Sequence, residues 1–158
     1  MKTVILGIGN PILGDDGVGN RVAQALQERG LSLPHGLGQE VTVAETNAAG
    51  LNLLDLLVGY DRAIIVDAIQ TQGGQPGQVY RLSLDDLPFT LHTASTHDTN
   101  LATALELGRR LGMAVPREVV IFAIEVADVT TFSEQCTPEV EQSIPKVVDM
   151  VIEEVGGR

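Results

Sequence analysis

The chain has 158 residues, 44% of them hydrophobic and 20% charged, which is the composition of one ordinary globular domain. Its net charge of −11 disfavours binding to nucleic acid or to an anionic membrane surface. The single cysteine, Cys136, excludes an intramolecular disulfide. No apolar run approaches the roughly 18 residues that a membrane helix needs, and the first residues run into a strand pattern without signal-peptide features. We therefore expect a soluble cytoplasmic protein, and we expect a monomer.

The first strand pattern ends in a glycine-rich turn that carries two adjacent carboxylates. Residues 3–8 form a short apolar run rich in β-branched side chains, which is typical of a buried strand. Asp15 and Asp16 follow in the turn, and a helical pattern then runs from Gly17 to about Gly30. Such a strand–turn–helix junction is a common ligand site. Here the two carboxylates would repel a phosphate and attract a metal ion or a proton.

Further strand and helix patterns follow in chain order. Strands are expected at 41–44, 63–66, 79–84 and 119–124, and helices at 50–59, from 95 onward and from 137 onward. The β-α-β-α-β order of the first half predicts a right-handed parallel sheet. The alternating pattern at 79–84 predicts an edge strand, which we expect to be antiparallel. Leu51 is expected on the buried face of the second helix, Thr137 is expected to cap the last helix, and Pro145 is expected to kink that helix or reset its start.

Metal-capable side chains follow three of these strands. Asp15 and Asp16 follow the first strand, Asp67 ends the third, and His97 lies at the start of the third helix. Because the carboxyl ends of parallel strands meet at one edge of a sheet, we expect these groups to converge there. Two carboxylates and one imidazole suit zinc, nickel or manganese, with coordination positions left for water or substrate.

Other readings of these residues remain open. His92 lies in an irregular stretch before the third helix and is an alternative ligand. Glu125 ends a core strand near the same edge and is either a ligand or a balanced charge at the rim of the site. Asp15 and Asp16 could instead form a solvated turn that the helix dipole stabilises. Cys136 has no neighbouring histidine or basic residue in the sequence, so we expect no nucleophilic role for its thiol.

The motifs resemble those of the maturation endopeptidases of nickel–iron hydrogenases. The resemblance is carried, in this order, by Gly9-Asn10-x-x-x-x-Asp15-Asp16-Gly17-x-Gly19, Val66-Asp67-Ala68, Ser95-Thr96-His97-Asp98 and Thr137-Pro138-Glu139-Val140. It covers nearly the whole chain and implies one domain over residues 1–158. The implied fold is a three-layer α/β/α domain of the phosphorylase/hydrolase-like type. Its mostly parallel, twisted sheet lies between layers of helices.

The resemblance also implies an activity, which is removal of a C-terminal peptide from a hydrogenase large-subunit precursor after nickel insertion. Asp16, Asp67 and His97 would contact the metal, and Asp16 or Asp67 would act as general base. Nickel is the expected metal, with zinc or manganese as alternatives. It is either a Lewis acid bound by the enzyme or a part of the substrate that the site senses. The chain departs from the family at 45–50, where Glu45-Thr46-Asn47-Ala48-Ala49-Gly50 replaces an Asp-Gly-Gly-Thr type of loop, and this affects the expected substrate contacts.

Two alternative functions are also considered. Gly7-Ile8-Gly9-Asn10-Pro11 resembles the opening of peptidyl-tRNA hydrolase as well. The net charge of −11 is unfavourable for tRNA, however, and residues 18–30 contain no histidine. The other alternative is a metal-binding maturation or adaptor protein without protease activity.

Overall fold

The strands of the described chain form one sheet, and helices cover both of its faces. The computed structural model describes residues 1–30, 40–48, 50–86 and 101–156. Its strands are β1 (Lys2–Ile8), β2 (Glu40–Thr46), β3 (Arg62–Ile69), β4 (Val79–Leu82) and β5 (Glu118–Glu125). Its α-helices are α1 (Val18–Glu28), α2 (Leu54–Leu57), α3 (Leu101–Arg110) and α4 (Pro138–Gly156). Short 3-10 helices lie at Gly14–Gly17, Gly50–Leu53 and Leu84–Asp86.

The sheet has the strand order β2-β1-β3-β5-β4, with β1, β3 and β5 inside it. The pairs β1–β2, β1–β3 and β3–β5 are parallel, and β4 pairs antiparallel with β5 at the edge. Every residue of β3 is buried, which explains its nearly continuous apolar sequence, whereas the edge strand β4 is partly exposed. The predicted mostly parallel sheet with an antiparallel edge strand is confirmed. The first and third strands, β1 and β3, are neighbours in the sheet.

Two apolar layers lie on opposite faces of the sheet. Successive residues of a strand point to opposite faces, so Ile5 and Ile64 pack in one layer and Leu6 and Ile65 in the other. Residues of α1 and α4 complete the first layer, and residues of α2 and α3 complete the second. This arrangement confirms the three-layer α/β/α fold.

The region predicted as the second helix is shorter and less regular than expected. Instead of one helix over 50–59, the chain forms a 3-10 turn and then the single turn of α2. Leu51, which was expected on the buried face, is 58% exposed, because the chain reaches the core only from Leu53 onward. The start of α1 also differs, since helical backbone begins in the 3-10 turn Gly14–Gly17 and becomes α-helical at Val18.

The last helix is continuous from Pro138 to Gly156 and does not restart at Pro145. An internal proline costs about 3 kcal/mol through the lost hydrogen bond and the ring's clash with the preceding turn. Burial of apolar side chains on both sides of the proline offsets that cost. The buried stripe of the helix includes Val140, Ile144, Val147, Val151 and Val155. No helix in the described ranges combines the length and apolar character needed to cross a membrane. Residues 95–98, predicted to open the third helix, lie outside the described residues.

Helix α1 lies so close to β1 and β3 that only glycine fits at the contact. A Cβ on Gly19 would overlap the carbonyl oxygens of Ile8 and Val66, and a Cβ on Gly7 would overlap the carbonyl oxygen of Gly19. This close packing places the first turn of α1 over the carboxyl ends of β1 and β3. The acidic turn that precedes α1 is thereby fixed at the same edge.

The end of the sheet at which the parallel strands begin, its amino edge, is stabilised by a buried guanidinium group. Arg62, at the start of β3, is 1% exposed and donates hydrogen bonds to the carbonyl and carboxylate oxygens of Glu154 at 2.6 and 2.8 Å. Arg81 of β4 donates to the same carboxylate at 2.7 Å. The pairing with Glu154 offsets part of the desolvation of this charge, although Arg62 Nε has no hydrogen-bond partner among the described residues. The C-terminal part of α4 is thus tied to the amino edge of the sheet.

Substitution of Gly19 by alanine should destabilise the protein. The added methyl group has to displace backbone atoms of β1 and β3, and such overpacking typically costs about 1–3 kcal/mol. Gly156→Ala is the matched control, because a Cβ there has no atom within 4 Å and alanine favours the helix. Urea denaturation should show a lower free energy of unfolding for Gly19→Ala only. Equal stability of the two variants would contradict the close packing of α1.

Candidate functional site

The turn between β1 and α1 is built from local hydrogen bonds that orient Asp16. The amide of Leu13 donates to the carbonyl oxygen of Asn10, and the amide of Asp16 donates to that of Leu13, both at 3.1 Å. The Asn10 amide donates in turn to Asp16 Oδ2 at 3.0 Å. Asp16 is therefore a partly exposed carboxylate that a rigid turn holds at the carboxyl edge of the sheet.

Asp67 lies inside β3 and not at its end, which corrects the position expected from the sequence. The ladder with β5 continues to the pair Ile69–Glu125, because backbone pairing does not depend on the apolar character of each side chain. Asp67 is fully buried, and its Oδ1 accepts a hydrogen bond from the Ala68 amide at 2.8 Å. By strand alternation it shares a face with Ile65 and Ile69, which is the face that α2 and α3 cover.

Asp16 and Asp67 lie at the same edge of the sheet, on neighbouring elements. Gly7 of β1 pairs with Val66 of β3, so the two strands end at a similar level. The 3-10 turn Gly14–Gly17 also contacts β3. Asp16 follows β1 as expected, whereas Asp67 lies within the last residues of β3, and the roles of both in catalysis and metal binding stay predictions.

Asp15, the neighbour of Asp16, is a structural residue. It is fully buried, which rules out the solvated turn considered for this position. Its Oδ2 accepts hydrogen bonds from the amides of Ala127 and Asp128, each at 3.0 Å. Its Oδ1 accepts one from the Thr137 amide at 2.6 Å, and the Thr137 hydroxyl donates to the same carboxylate. The hydroxyl expected to cap α4 is therefore engaged with Asp15, which ties the loop after β5 to the acidic turn.

Only the two carboxylates of the predicted three-ligand site lie among the described residues. His97 and the alternative ligand His92 lie outside the described residues. Within residues 1–30, 40–48, 50–86 and 101–156, no group of three or more His, Cys, Asp or Glu side chains is positioned to hold a metal ion. Asp16 and Asp67 provide carboxylate oxygens, which zinc, nickel and manganese all accept as ligands. Asp16 and Asp67 thus stay predicted ligands, and a three-ligand site depends on His97.

The segment that departs from the family pattern lies beside the acidic turn. The carbonyl oxygen of Thr46, at the end of β2, accepts a hydrogen bond from the Gly9 amide at 3.0 Å. Glu45 is exposed, and its Oε1 accepts a hydrogen bond from Gln24 Nε2 of α1 at 3.1 Å. Asn47 is also exposed. These side chains therefore border the candidate site, and residue 49 lies outside the described residues.

Glu125, the alternative ligand at the end of β5, is used by the fold. It is 2% exposed, and its Oε2 accepts a hydrogen bond from the Thr71 amide at 2.8 Å. The hydroxyl groups of Thr71 and Tyr80 donate to its Oε1. Burial is the main reason that the pKa of the Tyr80 phenol is raised, and the Glu125 carboxylate contributes to the increase. Of the two roles left open for Glu125, these contacts favour the balanced charge at the rim.

The surroundings of Cys136 argue against a thiolate nucleophile. The residue is half-buried, and burial is the main cause that raises the pKa of its thiol from 9.0 to about 11. The Asp15 carboxylate adds to this increase. The fold does bring one basic group near, Arg21, which the sequence did not indicate, but its opposing effect is smaller. A thiol with this pKa is almost entirely protonated at neutral pH.

The fold and the position of the carboxylates define a general class of protein. An open α/β sheet with an acidic turn at the carboxyl ends of its strands binds or transforms a ligand in the crevice at that edge. The family model described as hydrogenase maturation protease, HycI, matches residues 20–154. The chain belongs to the hydrogenase maturation protease family. This assignment confirms the resemblance found in the motifs and sets aside the peptidyl-tRNA hydrolase alternative.

Individual relatives agree with the family assignment. The chain is 29% identical over 154 residues to the hydrogenase 2 maturation protease of Escherichia coli, covering 96% of this chain and 89% of the relative. It is 26% identical to the hydrogenase expression/formation protein HupD of Thiocapsa roseopersicina, covering 96% of this chain and 66% of that protein.

Solved structures have the same fold. The hydrogenase maturating endopeptidase HybD of E. coli superimposes with a TM-score of 0.80 and 25% identity, covering 99% of this chain and 93% of HybD. The HybD protease of Thermococcus kodakarensis superimposes with a TM-score of 0.71 and 23% identity, over 98% of this chain and 99% of the other. The second likeness supports the fold alone.

The two adjacent aspartates should differ in their effect on stability. Asp15→Asn places an amide NH2 group against backbone and hydroxyl donors and should lower the free energy of unfolding by about 2–4 kcal/mol, since hydrogen bonds to charged groups are the stronger ones. Asp16→Asn keeps an oxygen that can accept from the Asn10 amide, so its effect should stay within about 1 kcal/mol. Urea denaturation of both variants measures the difference. A larger loss for Asp16→Asn would contradict the structural role of Asp15.

The thiol of Cys136 should react slowly with iodoacetamide at neutral pH. Its raised pKa of about 11 keeps the thiolate population small, so the alkylation rate should climb only as the pH approaches that value. Mass spectrometry of the native protein across a pH series gives the rate, and urea-unfolded protein serves as the control with an ordinary thiol. Equal rates in native and unfolded protein at pH 7 would show that the fold does not suppress this thiol.

Proposed function

We propose that this chain removes a C-terminal peptide from the nickel-loaded large-subunit precursor of a nickel–iron hydrogenase. Family membership makes it a protease of hydrogenase maturation. The observation that supports the finer proposal is the pair of carboxylates, Asp16 and Asp67, on adjoining elements at the carboxyl edge of the sheet. Both residues stand in motifs that carry the resemblance to the family.

Asp16 and Asp67 are the metal contacts in this proposal, and His97 completes the set. The nickel is part of the substrate in this proposal. Binding at this site therefore depends on whether the precursor has received its metal. A divalent cation held there would stabilise negative charge that develops on the scissile carbonyl oxygen. Zinc or manganese would suit the same donor atoms.

Asp16 is the general base of the proposed reaction, because it is the partly exposed member of the pair. The turn fixes its orientation through the bond from the Asn10 amide. Asp16 takes a proton from a water molecule as the water oxygen forms its bond to the scissile carbonyl carbon. The bond from that carbon to the amide nitrogen then breaks, and Asp16 returns the proton to the leaving amine. Asp67, fully buried in β3, is a metal contact and not the base in this proposal.

The charge of the chain fits a protein substrate with basic groups. The net charge of −11 attracts a basic patch and raises the rate of encounter with it, an effect that salt screens. A folded substrate also fits the proposed sensing of nickel, because a metal centre exists only in a folded chain. Binding energy from the body of the substrate can then position the scissile bond.

Incubation with a cognate large-subunit precursor should release a C-terminal peptide from the nickel-loaded form and not from the nickel-free form. Asp16→Asn and His97→Ala should each lower the rate of cleavage at least about 100-fold, because they remove a base or a metal contact. Asp149→Asn makes the same chemical change as Asp16→Asn on an exposed residue of α4 and should leave the rate unchanged. Mass spectrometry of the precursor measures the loss.

Three results would count against parts of this proposal. Equal cleavage of both precursor forms would contradict the sensing of nickel and keep the protease. Unimpaired cleavage by Asp16→Asn would contradict the role of Asp16. Absence of cleavage, with the precursor still bound, would favour the alternative of an adaptor without protease activity.

A further inference from the structure

Two apolar side chains stand exposed next to the acidic turn. Phe132 is 81% exposed and Ile12 is 49% exposed. Leu13 and Ser133 form a parallel bridge, which places Ile12 opposite Phe132 one position earlier in each segment. We call this pair the Ile12–Phe132 patch. Single exposed apolar side chains are ordinary, whereas adjacent ones rimmed by polar residues mark interaction sites.

The backbone beneath the patch is rigid. The Ser133 amide donates to the carbonyl oxygen of Ile12, and the Gly14 amide donates to that of Ser133, both at 2.9 Å. The Asp128 carboxylate accepts hydrogen bonds from the amides and hydroxyl groups of Thr130 and Thr131. Exposure of Phe132 is therefore a property of an ordered loop. An aromatic group on an ordered loop loses little conformational entropy when it binds.

The patch belongs to the same turn as Asp16. Ile12 lies between Asn10 and Leu13, and both of these residues form the hydrogen bonds that fix Asp16. A molecule that covers the patch is therefore beside the proposed general base. The other side of the patch is bordered by acidic residues of the loop after β5.

Two acidic residues, Asp128 and Glu134, lie in the loop that carries Phe132. Glu134 is exposed two positions beyond Phe132. The Thr131 hydroxyl is the main cause that lowers the pKa of the Asp128 carboxyl from 3.8 to about 2, so this group is ionised at any physiological pH. An apolar centre with a charged rim is the general arrangement of protein–protein interfaces. A matching partner has an apolar socket flanked by lysine or arginine side chains.

We propose that the Ile12–Phe132 patch is the anchor by which the folded protein substrate docks, with Phe132 entering an apolar socket that basic residues border. The inference rests on the proposed function, since it takes that substrate as the occupant. A few buried aromatic and aliphatic residues supply most of the binding energy in such interfaces. Docking at this position would bring the C-terminal segment of the substrate to the edge that carries Asp16 and Asp67.

Phe132→Ser and Ile12→Ser test the anchor with the full chain and the nickel-loaded precursor. We expect Phe132→Ser to raise KM, and the Kd measured by surface plasmon resonance, at least about tenfold, with kcat within about twofold of wild type. Ile12→Ser should show a smaller change in the same direction. Leu111→Ser is the matched control, because Leu111 is 66% exposed just after α3 and remote from the patch. Unaltered thermal unfolding confirms that the variants are folded.

The outcomes separate this inference from the proposed function. If the wild type cleaves the precursor and Phe132→Ser binds it with an unchanged Kd, the anchor is overturned and the proposed function stands. If the wild type cleaves no precursor, the proposed function fails, and the Kd comparison still decides whether the patch binds that protein. Equal losses in Phe132→Ser and Leu111→Ser would also overturn the anchor. So would a wild-type dimer that Phe132→Ser converts to a monomer without loss of precursor binding, since the occupant would then be a second copy.

Discussion

The buried carboxylate of Asp15 is the interaction on which the carboxyl edge of the sheet depends. It accepts hydrogen bonds from Ala127 and Asp128 in the loop after β5 and from Thr137 before α4. A buried charge is tolerated only while donors surround it, so none of these segments can move away without leaving the carboxylate unsatisfied. The acidic turn and the loop bearing Phe132 consequently keep fixed positions relative to each other.

The neighbouring residues Asp15 and Asp16 thus have different roles in the structure. Asp15 points into the protein and holds two distant segments together, whereas Asp16 is partly exposed and is held in place by its own turn. The close contact of α1 at Gly19 decides where this turn lies relative to the central strands. At the opposite edge, the buried Arg62 and Glu154 hold α4 to the sheet, so the two edges are stabilised by separate charged groups.

The sheet and its layers were predictable from the sequence because buried apolar residues recur at the regular spacing of strands and helices. The continuous apolar run of β3 predicts an interior strand, and the alternation of apolar and polar residues in β4 predicts an edge strand. The helical spacing of valine and isoleucine residues in α4 indicates its buried face. Asp15 and Asp16 could not be told apart, because the donors to Asp15 come from residues up to 122 positions away. Phe132 had no signal either, since an exposed residue in a loop belongs to no period. The position of Asp67 inside β3 was not predictable, because a lone carboxylate after an apolar run is also typical of the end of a strand.

The long separation between the partners of Asp15 also determines when the edge can form during synthesis. The donors lie 112 to 122 residues after the carboxylate, so the first turn leaves the ribosome long before they do. Closure of so long a segment is entropically costly, and the compensating hydrogen bonds form only once the two ends of the segment meet. A nascent chain that stops before Thr137 lacks one of the donors that fix the acidic turn relative to the loop bearing Phe132. The hydrogen bonds that fix this edge therefore form only after residue 137 has been synthesised.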